Sequence, residues 1–426
     1  MIVVKESIQI SNFAGIHNLE LDLSSVVVLI GPQASGKSVT VKLLFFFKSF
    51  FGEIFKSISN QESKKELDKR QIDKFALYFP KEAWPKDNFK ITYAVNDSFI
   101  SIERSAGNQL KLDYSDTIKR LFTKGRQLQQ LEQKRFLQDP TATGFPSNKA
   151  FRDKFDKFVK DEISEQWAFD QVFVPAGRSF FANLQSAIFG FLSENKTLDP
   201  FLIEFGASYE FYKRLFRAEP DEALLPKRPN AFDEILAGIL QGRYSREKEK
   251  DYLIHTDGRK VNLSYASSGQ QEILPLLLIL RALYLFVFAG AGTTLYIEEP
   301  EAHLFPTAQK KIVQLLARVI NKNKGKFQII VTTHSPYILS SFNNLIQAGR
   351  IGHDLESVDK TRLFQIVSSE EIIDPNSILA YSMNEGKKEL LIDKETQLIS
   401  GDILDSVSNE ISIEFGKMLD LEFAVK

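Results

Sequence analysis

Gly31 to Ser38 read GPQASGKS, the spacing G-x-x-x-x-G-K-[ST]. A glycine-bounded loop of this kind offers backbone N–H groups to phosphate oxygens. Lys37 would bring a point charge to the outer phosphates, and the Ser38 hydroxyl would ligate magnesium. The expected contact set is Gly31, Pro32, Gln33, Ala34, Ser35, Gly36, Lys37, Ser38 and Val39. A chance match is the competing reading. Against it, the apolar run VVVLI precedes the loop and helical apolar spacing follows in VTVKLLFFFKSFF. That strand–loop–helix context is what a phosphate loop requires.

The second acidic constellation is LYIEEPEAHLFP, Leu295 to Pro306. A core strand ends there in adjacent carboxylates. Alternation turns neighbouring side chains apart, so the two take different roles. Glu298 is expected to hold magnesium and Glu299 to polarise the water that attacks a terminal phosphate. Pro300 stops the strand, and Glu301 is expected in the first turn of a helix, favoured by its dipole. The bland alternative is a solvent-facing acidic turn.

Two smaller clusters remain open on residue grounds. SYASSGQQEILPLLL puts Ser267, Ser268, Gly269 and Gln270 at the start of an apolar helix. It is either an anion site or a plain N-cap. In VTTHSP, His334 follows a strand end; it could donate to a phosphate oxygen, or be structural, as lone histidines more often are.

The elements that must position these residues can be read from pattern. Strands are expected in 6–30, at QVFVP and in GKFQIIVTT; FKITYAVNDSFISIER and DYLIHTDGRKVNL read as hairpins turned at Asn96-Asp97 and Asp257-Gly258. Residues 185–245 read as mostly helical. Ile273 to Ile297 carries Arg281 as its single charge and has the length of a membrane span. Pro275 and the GAGTT break favour a buried helix, a turn and a buried strand, so no membrane is expected. From Thr117 to Lys160 there are eleven Lys/Arg and four Asp/Glu. That run is a solvated helical face or a nucleic-acid surface.

The 426 residues are 43% hydrophobic with a formal net charge of -1, so overall charge does not mark a nucleic-acid binder. The absence of cysteine excludes disulfides and thiolate chemistry and suits a reducing compartment. MIVVKESIQI lacks a long apolar segment, so no signal peptide is expected, and the expected location is the cytoplasm.

Together and in this order, IQISNFAGIHNLELDL, GPQASGKS, SSGQQ, LYIEEPEAHLFP and VTTHSPYIL resemble an ABC-type ATPase head of the SMC, RecF and OLD group. EEPEAHLFP with THSPYIL is most similar to OLD-like AAA ATPases of phage-defence systems such as PARIS and Septu. The resemblance implies an α/β P-loop NTPase head with a mostly parallel central sheet, an antiparallel β subdomain and a helical insertion. It divides the chain into a discontinuous head (1–50 and 171–426) and an insertion (51–170). It implies ATP and Mg2+ as ligands, Glu299 as catalytic base and His334 as switch histidine. Ser267, Ser268, Gly269 and Gln270 become the signature motif that reaches the nucleotide of a second protomer, and Ala302 to Leu304 the dimer-facing loop. Gln171 is a candidate for the Q-loop glutamine, and Arg178 matches a recurring arginine.

The chain departs from the pattern in places. Glu298 stands where transporter-like heads have aspartate, Gln33 where asparagine is frequent, and SSGQ replaces SGGQ. Slow turnover is therefore expected. Glu385, Asp393, Asp402 and Asp405 include no D-x-D, so no Toprim nuclease is expected in the chain. The expected function is an ATPase sensor or scaffold that oligomerises through nucleotide sandwiches and controls a separate effector, such as a Toprim or HNH nuclease, in antiviral defence. The alternatives are a RecF-like repair ATPase that meets DNA through 117–160, a transporter subunit, and a switch that does not hydrolyse.

Overall fold

The computed structural model describes residues 5–105, 109–138, 148–181, 198–216, 230–247, 250–286, 290–352, 357–400 and 413–418. Its centre is a six-stranded sheet in the order β14-β13-β3-β12-β11-β7. The strands are β3 (Val26–Ile30), β7 (Asp170–Val174), β11 (Thr293–Glu298), β12 (Phe327–Thr333), β13 (Ile378–Asn384) and β14 (Lys387–Leu390). All neighbours pair in parallel except β13 and β14. Phosphate loop and acidic strand end therefore leave the same edge of the sheet. The α/β class read from the motifs holds.

The apolar runs of these strands are buried on both faces, as central parallel strands must be. Val26, Val28, Leu295, Ile297, Ile329 and Val331 face one core. Val27, Leu29, Tyr296 and Ile330 face the other. Each such side chain, fully buried, contributes about 1.5–3 kcal/mol. The first core is closed by α6 (Pro200–Arg214), α7 (Ala231–Leu240), α8 (Ser268–Leu285), α9 (Pro306–Lys322) and α10 (Pro336–Gly352). The second is closed by α1 (Lys37–Lys48), α2 (Phe50–Ser59), α3 (Lys64–Tyr78), α4 (Asp116–Gln138) and α5 (Asn148–Glu162).

A five-stranded antiparallel sheet, β2-β1-β4-β5-β6, covers the α1 side. It contains β1 (Glu6–Phe13), β2 (Ile16–Asp22), β4 (Phe89–Val95), β5 (Ser98–Arg104) and β6 (Leu110–Tyr114). The β4–β5 turn falls at Asn96-Asp97, with Asn96 left-handed at φ 51°. Because β4 pairs with β1 (Ile10 opposite Ile91), strands from within 51–170 share a sheet with the N-terminal strands. A small sheet, β8 (Arg243–Glu247), β9 (Lys250–Ile254) and β10 (Lys260–Asn262), includes the second expected hairpin. Its first strand begins at the very end of the stretch read as mostly helical, 185–245: helices α6 and α7 carry most of the described part, Tyr244 pairs with Leu253, and 185–197 and 217–229 lie outside the described residues.

The membrane-length run resolves into helix α8 and strand β11, which flank residues 287–289, outside the described set. Its one charge, Arg281, pairs with Asp233 of α7 at 2.6 Å. Among the described residues no helix is long and apolar enough to cross a membrane.

Candidate nucleotide site

Strand β3 ends at Ile30, and the loop passes directly into α1. Gly31 lies so close to β13 that a Cβ there would sit 2.0 Å from the Met383 carbonyl oxygen, which rules out any side chain. Gly36 is the N-cap of α1 at φ 95°, and no side chain caps that helix end. The first-turn N–H groups are thus left for a ligand, with the positive end of the helix dipole behind them. Lys37 is 4% exposed, and its Nζ donates to the Gly31 carbonyl (2.8 Å), the Pro32 carbonyl (2.7 Å) and the Ser35 hydroxyl (3.1 Å). Burial lowers its pKa, opposed by the charges of Glu299 and Glu301. The ammonium therefore sits folded into its own loop, held by acceptors that phosphate oxygens could replace. Pro32, Gln33, Ala34 and Ser38 are exposed, and Val39 packs partly against the second core.

Glu298 is the last paired residue of β11, opposite Thr332. It is 5% exposed, and one carboxylate oxygen accepts from the Ala176 N–H at 3.3 Å. Burial raises its pKa, and the Lys42 charge, the Ser38 hydroxyl and the Ala176 amide act in the other direction. Its Oε1 and the Thr332 hydroxyl are buried without a partner. Buried polar atoms of this kind have hydrogen-bonding capacity that a ligand or water can use. The Ser38 hydroxyl lies close enough to favour the charged form of the Glu298 carboxylate, so the two residues expected to hold magnesium are neighbours.

Glu299 is left-handed at φ 46°, with its N–H held by the Thr332 carbonyl at 2.9 Å. That turn separates it from its neighbour: Glu298 points into the protein, while Glu299 is 38% exposed on its side chain and places Oε1 3.4 Å from His334 Nε2. The expected base and switch histidine therefore meet. Glu301 corrects the sequence reading. It lies in a turn before α9, whose helix begins at Pro306. Its Oε1 accepts from the Thr333 hydroxyl (2.8 Å) and the His334 N–H (2.6 Å), tying the acidic loop to the end of β12. Proline at the first helical position, pre-set for helix, moved the start beyond this glutamate.

Ser267 caps α8, with a capping box to Gln270. Ser267 and Ser268 are exposed. Gly269 abuts the acidic-strand loop: a Cβ there would lie 2.8 Å from the His303 carbonyl oxygen. Gln270 donates to the Leu240 carbonyl at 2.7 Å. The N-cap reading is thus realised in the geometry, beside the loop that leaves Glu299.

Gln171 is not brought to this site. It pairs with Thr294 at the far end of the strands, its amide accepting from Tyr296 (2.7 Å) and donating to the Phe169 carbonyl (2.5 Å). Four residues of strand put it about 13 Å from Glu298 along the sheet. Arg178 is brought in, fully buried, under the carbonyls of Glu298 (2.8 Å) and Glu299 (3.0 Å). Residue reading missed Glu272, which faces Arg178, and also Thr332 and Ala176. Glu272 left one signal, as the single carboxylate in an apolar helix.

The basic run is largely engaged within the chain. Lys119 pairs with Asp116, Arg135 and Lys154 with Glu132, Arg152 with Asp156 and Asp170, and Lys160 with Glu165. Arg126 donates to the Glu62 carbonyl and Arg120 to Thr117. Residues 139–147 lie outside the described set. Glu385 sits left-handed in the β13–β14 turn and Asp393 in a turn closed by Thr396; Asp402 and Asp405 lie outside the described residues.

The donor set suits a magnesium–nucleotide complex. Among the described residues no group of three or more His, Asp or Glu side chains could cage a metal alone. Mg2+ usually takes one or two protein ligands and completes its shell with phosphates and water. Ser38 with the unpartnered Glu298 oxygen meets that need, and the uncapped helix meets the phosphates.

The chain is similar to an SMC head domain from Thermotoga maritima (12% identity, TM-score 0.38, covering 91% of this chain and 97% of that chain). It is similar to an Smc head domain with an extended coiled coil bound to the C-terminal domain of ScpA, derived from Pyrococcus furiosus (13%, TM-score 0.39, 96% and 99%). The recombination mediator protein RecF of the RecFOR pathway is also similar (13%, TM-score 0.32, 91% and 98%). No curated protein matches the chain. The model of one family matches residues 26–340, from the strand before the phosphate loop to the helix after His334. The chain belongs to that family, described as "AAA domain, putative AbiEii toxin, Type IV TA system".

Proposed function

We propose that this chain binds and slowly hydrolyses ATP, and that nucleotide state sets its assembly and its hold on a separate effector protein. One observation carries the reading: the unpartnered Glu298 oxygen and Thr332 hydroxyl lie beside an uncapped phosphate loop, with Glu299 and His334 paired at the rim. In the proposed reaction the loop amides and Lys37 bind the terminal phosphates. Lys37 exchanges the Gly31 and Pro32 carbonyls for phosphate oxygens. Ser38 and Glu298 would hold Mg2+, which neutralises charge on the transferring phosphoryl group. Glu299 orients the attacking water and accepts its proton, while His334 faces both Glu299 and the phosphate.

The finer reading is an OLD-like ATPase of a phage-defence system of the PARIS or Septu kind, acting in the cytoplasm. Two chains would close over two nucleotides, with Ser267 and Ser268 of each reaching the other's phosphate. The head, 1–50 and 171–426, carries every site residue. The insertion, 51–170, is left to partner contacts, and the effector would be a Toprim or HNH nuclease. The RecF-like alternative depends on the basic surface of 117–160, whose charge is offset in part by exposed ion pairs such as Lys119 with Asp116 and Arg135 with Glu132.

The test is phosphate release and light scattering with and without ATP on the full chain. Wild type should release phosphate and change assembly state, and Lys37→Ala should do neither. A wild-type chain that neither binds ATP nor changes size sinks the reading.

A further inference from the structure

Arg178 and Glu272 form a buried pair that the reaction above does not use. Arg178 is 0% exposed and Glu272 1%, and the Glu272 carboxylate lies 3.2 Å from Arg178 Nε. The same carboxylate accepts the backbone N–H groups of Arg178 (2.9 Å) and Ser179 (2.8 Å). The guanidinium then reaches three carbonyls: Glu272 (3.1 Å), Glu298 (2.8 Å) and Glu299 (3.0 Å). One side chain thus joins the exit of β7, the first turns of α8 and the end of β11.

The two strand-end carbonyls explain why an arginine is needed. Glu298 closes the β11 ladder, so its carbonyl and that of Glu299 have left the sheet. A rigid fork of N–H donors can satisfy both at once, and a lysine cannot match that geometry. Glu299 is also held left-handed, which costs a non-glycine residue about 1–2 kcal/mol and persists only where neighbours enforce it. Its N–H is fixed by Thr332, and its carbonyl by the Ala302 N–H within the turn (3.1 Å) and by Arg178 from outside it. Buried ion pairs are often dispensable for stability and are retained where they specify geometry.

We propose that Arg178 is a positioning residue: anchored on Glu272 of the signature helix, it holds the left-handed turn that aims the Glu299 carboxylate at His334 and the attacking water. This rests on Glu299 being the base. It also ties Ser267, five residues before Glu272, to the base of the same chain, so that the signature motif and the acidic strand move as one body.

The test compares steady-state ATP turnover, binding of a fluorescent ATP analogue and thermal melting for wild type, Arg178→Lys and Glu272→Gln. The expected result for Arg178→Lys is a kcat lower by about tenfold or more with KM and analogue binding within about twofold, because aim is lost and the phosphate loop is intact. Glu272→Gln, which keeps the buried shape, should fall in the same direction by less. A folded Arg178→Lys with wild-type kcat overturns the inference, as does a parallel loss of binding and turnover. If Arg178→Lys does not fold, a folded Glu272→Gln at wild-type kcat overturns it. Failure of both to fold does too, since the pair would then be part of the head's general framework. Absence of turnover in wild type sinks the base assignment itself, which is a different outcome from turnover that ignores Arg178.

Discussion

Helix α1 carries a buried lysine at each end, Lys37 at 4% exposure and Lys48 at 1%. Lys48 enters a closed polar network. It pairs with Glu6 and donates to Gln328 at 2.8 Å; Tyr93 donates to Glu6 at 2.6 Å, and Gln328 to the other Glu6 oxygen at 2.9 Å. Thr294 and the Ser24 carbonyl complete the Gln328 amide. Among the described residues Lys37 has no carboxylate within salt-bridge reach and rests on loop carbonyls, and the nearby Glu298 keeps an unpartnered oxygen. Both ends remove charge from water. At one end the fold supplies every partner and gains a link between the two sheets. At the other it withholds partners, and the shortfall is what a charged ligand can fill.

The largest effect expected from this contrast is on folding. Lys48→Met strands Glu6 as an uncompensated buried charge, and urea unfolding should show a loss of roughly 3–5 kcal/mol. ATP turnover per folded molecule should stay near wild type, because Lys48 lies at the opposite end of α1 from the phosphate loop. A turnover loss larger than the folded fraction explains would erase the division between the two ends.

Next is Glu299→Gln. Phosphate release should fall by on the order of a hundredfold, as for loss of a general base, with melting unchanged. Its side chain is 38% exposed and meets His334, so no buried framework depends on its charge. Unchanged release would mean that Glu299 is not the base.

What could be read in advance follows this same division. Gly31 to Ser38 and the Glu298-Glu299 strand end were legible because phosphate chemistry needs fixed residue types at short spacing. Glu6, 42 residues from Lys48 and 322 from Gln328, was not, because only the completed fold chooses such partners. Arg178 was noticed but had no role until the carbonyls of Glu298 and Glu299 came to lie over it. Glu301 was misplaced because the start of α9 is set by Pro306, and the turn from Glu299 to Leu304 is held by hydrogen bonds with no sequence signature. Gln171 matched a residue type alone, and tertiary contacts with Tyr296 claimed its amide.

The smallest effect is a sign. Burial raises the Glu298 pKa above that of the unfolded chain. The native state then binds its proton more readily, so ionised Glu298 destabilises the ligand-free protein. That penalty is absent below the ordinary glutamate range, grows as pH rises toward the raised native pKa, and is complete above it. Glu298→Gln should therefore be more stable than wild type at neutral pH, on the order of 1 kcal/mol. The advantage should vanish as the solution is acidified through the same window. Denaturant melts of both proteins across that range, without nucleotide, measure it. Magnesium with ATP should narrow or reverse the difference, because the loop still binds phosphate in both chains but the carboxylate adds a magnesium contact in wild type alone. A variant less stable than wild type at neutral pH would show that Glu298 is satisfied by the fold, as Glu6 is, and the contrast between the two ends of α1 would fail at the residue on which it most depends.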